Sequence, residues 1–269
     1  MWNPPIFFFY FAPIISLPAD LAPYVARGLS FVCAVALALL GWRLAEKVRT
    51  HIPLLPFTAC AFCLIPFWEE LRLAKNTSWV SLYVAGGTFS LLQTKRLYLA
   101  GALLAIALCK PHDFYLPLLV MAFVVITSRR WATVAGAMSS LGVAAATVHL
   151  IHPGIWSKWL FREQWPYVAY GANLTTLLHL VAIEPQATTD TLLALISPIL
   201  GALIWWRGLS RCEFTTNKDK VMWAWVVTPF FAPYGFMSDH VTLIFPFSYF
   251  VGRIYHEQDL ASLRRFFAR

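Results

Sequence analysis

The sequence predicts an all-α protein, a polytopic membrane helix bundle of about nine transmembrane helices with an N-terminal juxtamembrane segment. Three observations lead there. Hydrophobic residues make up 59% of the chain and charged residues only 13%, against about 25% charged in ordinary soluble domains. The apolar residues fall into runs, several of them close to the roughly 20 residues that a bilayer crossing needs. The cations collect between those runs, at Arg43/Lys47/Arg49, Lys95/Arg96, Arg129/Arg130, Arg207/Arg211/Lys218/Lys220 and Arg253/Arg264/Arg265/Arg269, after every second crossing. These clusters hold 15 of the 21 lysines and arginines, and the positive-inside rule makes them cytoplasmic.

In chain order, residues 1–23 are apolar but broken by Pro4, Pro5, Pro13 and Pro18, which disfavours a straight spanning helix. They are read as an outer juxtamembrane segment in or dipping into the outer leaflet. Five runs have near-spanning length: Tyr24–Trp42, Ile52–Trp68, Thr77–Leu92, Thr133–Ile151 and Thr191–Trp206. Four are shorter: Leu97–Cys109, Phe114–Thr127, Val221–Ala232 and Val241–Gly252. A helix rises about 1.5 Å per residue and the hydrocarbon layer is about 30 Å thick, so short helices are expected to leave their outer ends recessed, with polar residues lining a cavity. Residues 152–190 form the largest outer loop, carrying Trp156, Trp159, Phe161, Trp165, Tyr167 and Tyr170 among Lys158 and Arg162, a mixture that settles at headgroup level. Residues 253–269 are a basic cytoplasmic tail. With no internal repeat or linker, residues 1–269 are one transmembrane domain.

The formal charge of +8 sits at the ends of apolar runs, beside lipid headgroups, which argues against nucleic acid as a partner and for membrane lipids. Four of the five cysteines lie in apolar runs, so no disulfide framework is expected, and Cys60-x-x-Cys63 has no second pair with which to hold a metal.

The candidate functional residues gather at outer helix ends. Lys110, His112 and Asp113 lie at one, and Asp239 and His240 at another, where ionisable groups at membrane depth are costly. The structural alternatives are a Lys110 that snorkels or pairs with Asp113, and an Asp239 that caps the last helix. Glu69, Glu70 and Asn76 follow the second run, together with Arg72 and Lys75, and read first as a solvated turn with internal charge pairs and second as substrate contacts. Asn173 and Thr175 follow the aromatic cluster. Two sequons, at Asn76 and Asn173, fall on the outer side.

Several short patterns agree with one another. The chain opens Asn3-Pro4-Pro5-Ile6-Phe7-Phe8-Phe9 with Ala12-Pro13. It continues with Leu108-Cys109-Lys110-Pro111, Arg129-Arg130-Trp131 one crossing later, and Ser238-Asp239-His240 before the last. Together they resemble the membrane glycosyltransferases of the GT-C superfamily, most closely glycosyltransferase family 87, whose members include mannosyl- and arabinofuranosyl-transferases using polyprenyl-phosphate sugars. The opening is also similar to the proline-proline juxtamembrane segment of the aminoarabinose lipid A transferases.

The resemblance implies a GT-C-like fold in a bacterial or archaeal plasma membrane. It implies transfer of mannose or a related sugar, with inversion, from a polyprenyl-phosphate donor to a lipid or glycan acceptor at the outer face. Lys110 would meet the donor phosphate, with His112, Asp113, Asp239, His240, Asn76, Glu69, Glu70 and Asn173 as further substrate-binding candidates. In this family an acidic residue of the first outer loop is the general base, and that loop would precede Asn3. The chain is therefore expected to lack the first transmembrane helix and first outer loop, its catalytic residue is unassigned, and a truncated form inactive alone is an open alternative. At most Asn76 matches the family's Gly-Gln-x-Asn element. No Gly-rich phosphate loop or nucleophile elbow occurs. No cofactor is expected, and no ligand cluster in the sequence argues for a metal, although a divalent ion stays an open alternative. A transporter or flippase for a lipid-linked substrate, built on proline-interrupted helices, and a non-catalytic membrane subunit are the competing readings.

Overall fold

A computed structural model describes residues 5–45, 62, 64–73, 75–160, 187–209, 216–232 and 237–257. Among these residues all regular structure is helical. The elements are α1 (Ile6–Ile15), α2 (Ala22–Ala45), α3 (Ile65–Leu73), α4 (Thr77–Gln93) and α5 (Leu97–Leu104), which tightens into a 3-10 turn over Ala105–Cys109. They continue with α6 (Pro111–Thr127), α7 (Trp131–Ile151), α8 (Ile155–Leu160), α9 (Ala187–Ile204) with a π turn at Trp205–Leu209, and α10 (Asn217–Phe231). A 3-10 segment, Met237–Leu243, leads into α11 (Ile244–Glu257).

Two of these helices, α2 and α7, are long and apolar enough to cross a membrane, while Leu97–Cys109, Pro111–Thr127 and Leu195–Gly208 are shorter apolar helices. The expected run from Ile52, with Cys60 and Cys63, lies outside the described residues up to its end in α3, and so do most of the aromatic loop and the basic tail beyond Glu257. The proline-rich opening forms α1, only 10 residues long, too short to span about 30 Å. It is a packed element all the same. Ile6, Phe7 and Phe11 are buried, and the Tyr10 hydroxyl lies 2.7 Å from Ser140 Oγ on α7.

Where helices lack side-chain bulk, their backbones meet closely. The most extensive contacts join α2 to α11 and α5 to α7. In the second pair the crossing is reciprocal: a Cβ on Gly101 would overlap the Thr133 carbonyl, and one on Gly136 would overlap the Tyr98 carbonyl. At the first pair, a Cβ on Gly41 would strike the Phe245 carbonyl. Small residues permit such close approach of two helix backbones. Hydroxyls inside the bundle are satisfied locally. Ser81 donates to Thr77 O at 2.6 Å, Thr88 to Val84 O at 2.8 Å and Thr228 to Ala224 O at 2.7 Å, each one turn back.

The basic end of the bundle is pinned by hydrogen bonds from cations and caps. Helix α6 closes in a Schellman motif, with Arg130 N–H donating to Val125 O and Arg129 N–H to Ile126 O. Arg129 holds the left-handed position, at φ 53°, that glycine usually fills. The Arg130 guanidinium reaches Leu91 O at the end of α4, and Lys218 Nζ donates to Leu44 O at the end of α2 at 3.0 Å. Thr216 and Asp219 form a capping box at the start of α10, and Asp219 also accepts from Tyr249 at 2.7 Å and from Arg253, both on α11. Arg43, Lys95, Arg96, Arg129, Arg130, Lys218, Lys220 and Arg253 thus share one end of the bundle, by the helix termini that carry them. The opposite end holds the start of α4, the start of α6 and the 3-10 segment before α11.

Candidate active site

At that opposite end three chain segments converge on one ammonium group. The 3-10 turn closes at Cys109, Lys110 takes a non-helical conformation at φ −141°, ψ 67°, and Pro111 opens α6. Proline at the first helical position lacks only an amide that would be unpaired there anyway. This break turns Lys110 into the bundle. Its Nζ lies 2.8 Å from Asp239 Oδ1 and 2.5 Å from Thr77 Oγ1, and Thr77 donates its own hydrogen to the same Asp239 oxygen at 2.7 Å. Asp113 Oδ2 stands 3.7 Å from Lys110 Nζ, and Asp113 Oδ1 lies 3.3 Å from His112 Nε2. Lys110, Asp113 and Asp239 are each less than 10% exposed, so they are packed into the interior where an open, polar-lined recess was expected.

The expected pairing of Lys110 with Asp113 is present but secondary, because Asp239, remote in sequence, takes the short contact. Asp239 likewise spends Oδ1 on Lys110 and Thr77. Hydrogen bonds to charged groups are about twice as strong as neutral ones, and in a buried interior such a pair is held only if its remaining donors and acceptors are met. Thr77 meets one of each.

Glu69 and Glu70 part company. Glu69 forms an exposed pair with Arg72 at 2.8 Å, the internal charge pair expected of a solvated turn. Glu70 is fully buried, and its Oε1 accepts the Ser78 backbone N–H at 2.7 Å. It therefore caps α4 from another helix, in place of Asn76, whose side chain makes no cap bond. Burial pushes the Glu70 carboxyl up to about 7, against the lowering effect of its Ser78 hydrogen bonds and of Lys110. Its second oxygen, Oε2, has no hydrogen-bond partner. Lys75, on the loop before α4, lies within electrostatic reach of Asp239, Lys110, Asp113 and Glu70, and burial lowers its affinity for the proton.

Of the sequence candidates, Lys110, His112, Asp113 and Asp239 come together, with Glu70 in electrostatic contact. His240 is buried and lies edge-on to Phe230, ring centroids 5.6 Å apart. Asn76 adjoins the cluster only as the residue before Thr77, and Asn173 lies outside the described residues. Thr77 went unnoticed in the sequence because it is uncharged; its one signal was its place as the first residue of a helix beside Asn76.

Chemically, the arrangement offers one ammonium held between two carboxylates and a hydroxyl, with an imidazole alongside. His112 and Asp113, neighbours in the sequence, and the distant Asp239 each present a ligand atom within 4.8 Å of the others, a cluster that spacing alone did not suggest.

Comparison with curated proteins found no match, and comparison with solved structures found none either. One family model does match, over residues 2–233: glycosyltransferase family 87.

Proposed function

Because this chain belongs to glycosyltransferase family 87, we propose that it transfers a sugar, mannose or a close relative, from a polyprenyl-phosphate donor to a lipid or glycan acceptor at the outer face of the membrane. In that reaction the bond from the anomeric carbon to the phosphate oxygen breaks, and a bond to the acceptor oxygen forms on the opposite side of the sugar. The acceptor hydroxyl gives its proton to a general base, which is unassigned in this chain, and the polyprenyl phosphate departs with the extra negative charge. A fixed cation aimed at that charge lowers the barrier most, since it acts where charge develops and where water is scarce.

The observation that supports this reading is the Lys110 ammonium, held at 2.8 Å by Asp239 and 2.5 Å by Thr77 where three helix ends meet. A phosphate oxygen entering there competes with the Asp239 carboxylate for the ammonium. Asp239 and Thr77 keep the ammonium extended and charged until the donor arrives. Lys110 and its partners serve the donor's phosphate, and His240, Asn76, Glu69 and Asn173 are assigned to the periphery of the substrate site. On the reading of nine crossings, counted from the runs that become α2, α4 to α7 and α9 to α11 and from the run that ends in α3, the cluster lies outside and the Arg129/Arg130 end inside, in a multi-pass plasma-membrane protein.

The test is transfer in reconstituted membranes from radiolabelled sugar donors of two classes. The proposal expects labelled acceptor with a polyprenyl-phosphate sugar and none with nucleotide sugars. Transfer from a nucleotide sugar alone would overturn it, and donor that crosses the bilayer with no transfer would favour the carrier reading.

A further inference from the structure

The geometry points to a divalent cation site at His112, Asp113 and Asp239, of the kind that takes Mn²⁺ or Mg²⁺. His112 Nε2 and Asp113 Oδ1 are 3.3 Å apart, and the three ligand atoms all lie within 4.8 Å of one another. Bonds of about 2.1–2.4 Å to a six-coordinate cation place neighbouring ligands about 3.0–3.4 Å apart and opposite ones about 4.2–4.8 Å apart, so one ion fits among the three. Two carboxylates and one imidazole form a mostly hard donor set, which suits this class of ion better than a soft, thiolate-seeking metal.

A second observation points to a ligand independently of the clustering. Asp113 is only 4% exposed, and its Oδ2 accepts no hydrogen bond, its nearest cation, the Lys110 ammonium, standing 3.7 Å away, beyond hydrogen-bond reach. Buried carboxylate oxygens are seldom left so without a partner that the structure lacks.

The ion also explains how Lys110 becomes available. Asp239 now holds Lys110 at 2.8 Å. A cation that draws Asp113 and Asp239 to itself loosens that grip, and the ammonium turns to a phosphate. This last step rests on the function proposed above, but the site does not, and its test contains no donor, so the two readings fail separately.

The probe is Mn²⁺ alone, added to the purified full-length protein in detergent and followed by electron paramagnetic resonance. Wild type is expected to bind one Mn²⁺ per chain, displaced by excess Mg²⁺, with a ¹⁴N coupling from the His112 imidazole. Asp113→Asn is expected to weaken binding about tenfold or more, whereas Asp20→Asn, at an exposed residue outside the cluster, leaves it unchanged. The wild-type spectrum carries the decision should Asp113→Asn not fold. Absence of saturable Mn²⁺ binding at millimolar concentration, or a bound ion without nitrogen coupling, overturns the site, as does a folded Asp113→Asn variant with wild-type affinity.

Discussion

Lys110 Nζ stands 2.8 Å from Asp239 Oδ1, an ion pair closed between residues 129 positions apart in the chain. It ties the break between α5 and α6 to the 3-10 segment that leads into α11, and both partners are less than 10% exposed. Removing one member of a buried pair strands the other. Asp239→Leu and Lys110→Met are each expected to destabilise the folded protein by about 3–5 kcal/mol. The double variant is expected to lose less than the sum of the two, because no charge of that pair is then left alone. Thermal unfolding of the four proteins in one detergent checks this, and strict additivity would show that the pair does not act as a unit.

Thr77 contributes no charge, yet it both donates to Asp239 and accepts from Lys110, at 2.7 and 2.5 Å. Thr77→Val keeps the shape and removes the hydroxyl, leaving two buried charged groups short of one hydrogen bond each. The expected result is a loss of about 1–3 kcal/mol in stability and slower sugar transfer, with Thr77→Ser restoring both. Equal behaviour of the valine and serine variants would remove Thr77 from the cluster.

Charge and hydropathy made much of this visible in advance. Helices α2, α4 and α7 fall on the predicted runs Tyr24–Trp42, Thr77–Leu92 and Thr133–Ile151 to within a few residues, because long apolar runs leave few other solutions. Lys110, Asp113 and Asp239 stood out as rare ionisable residues in apolar surroundings. What could not be read was who meets whom. The Lys110 to Asp239 pairing depends on how the 3-10 segment Met237–Leu243 seats against α3, α4 and α10, and no local pattern encodes it. Glu70 looked like one half of a solvated doublet with Glu69, and only the approach of α3 to the start of α4 separates the buried cap from the exposed pair. The opening prolines predicted a non-spanning segment, and α1 is too short to span, but its seating against α7 follows from the tertiary arrangement of Tyr10 and Ser140.

The crossing of α5 and α7 depends on two glycines that face each other's backbone. A Cβ at Gly101 or Gly136 would overlap a carbonyl of the partner helix, Thr133 O or Tyr98 O, and a main-chain atom cannot rotate aside. Gly101→Ala and Gly136→Ala are therefore expected to destabilise by about 1–3 kcal/mol, the usual cost of overpacking. Gly142→Ala, at a position with nothing within 4 Å of the added carbon, is expected to be neutral or slightly stabilising. Melting temperatures of the three variants give the comparison, and a neutral Gly101→Ala would contradict the close crossing.

Glu70 lies beyond the end of its predicted crossing, and its carboxyl is raised from 4.5 to about 7, chiefly by burial. A raised carboxyl means that the fold prefers the protonated form. Its stabilising contribution is full below about pH 4.5 and is lost as pH rises through about 7. Wild type is thus expected to lose stability between pH 5 and 8 relative to Glu70→Gln, which stays neutral and keeps an acceptor for Ser78 N–H. Melting temperatures of both proteins across that range test the sign. A difference that does not vary with pH would place the Glu70 titration elsewhere.

The most direct measurement of the central claim is kcat/KM for transfer from a polyprenyl-phosphate sugar, compared between wild type and a Lys110→Gln variant whose folding is confirmed by its melting curve. If Lys110 stabilises the departing phosphate, the folded variant loses about 100-fold or more, in kcat rather than KM. A folded Lys110→Gln variant that transfers sugar at the wild-type rate would contradict the claim and return Lys110 to a purely structural role.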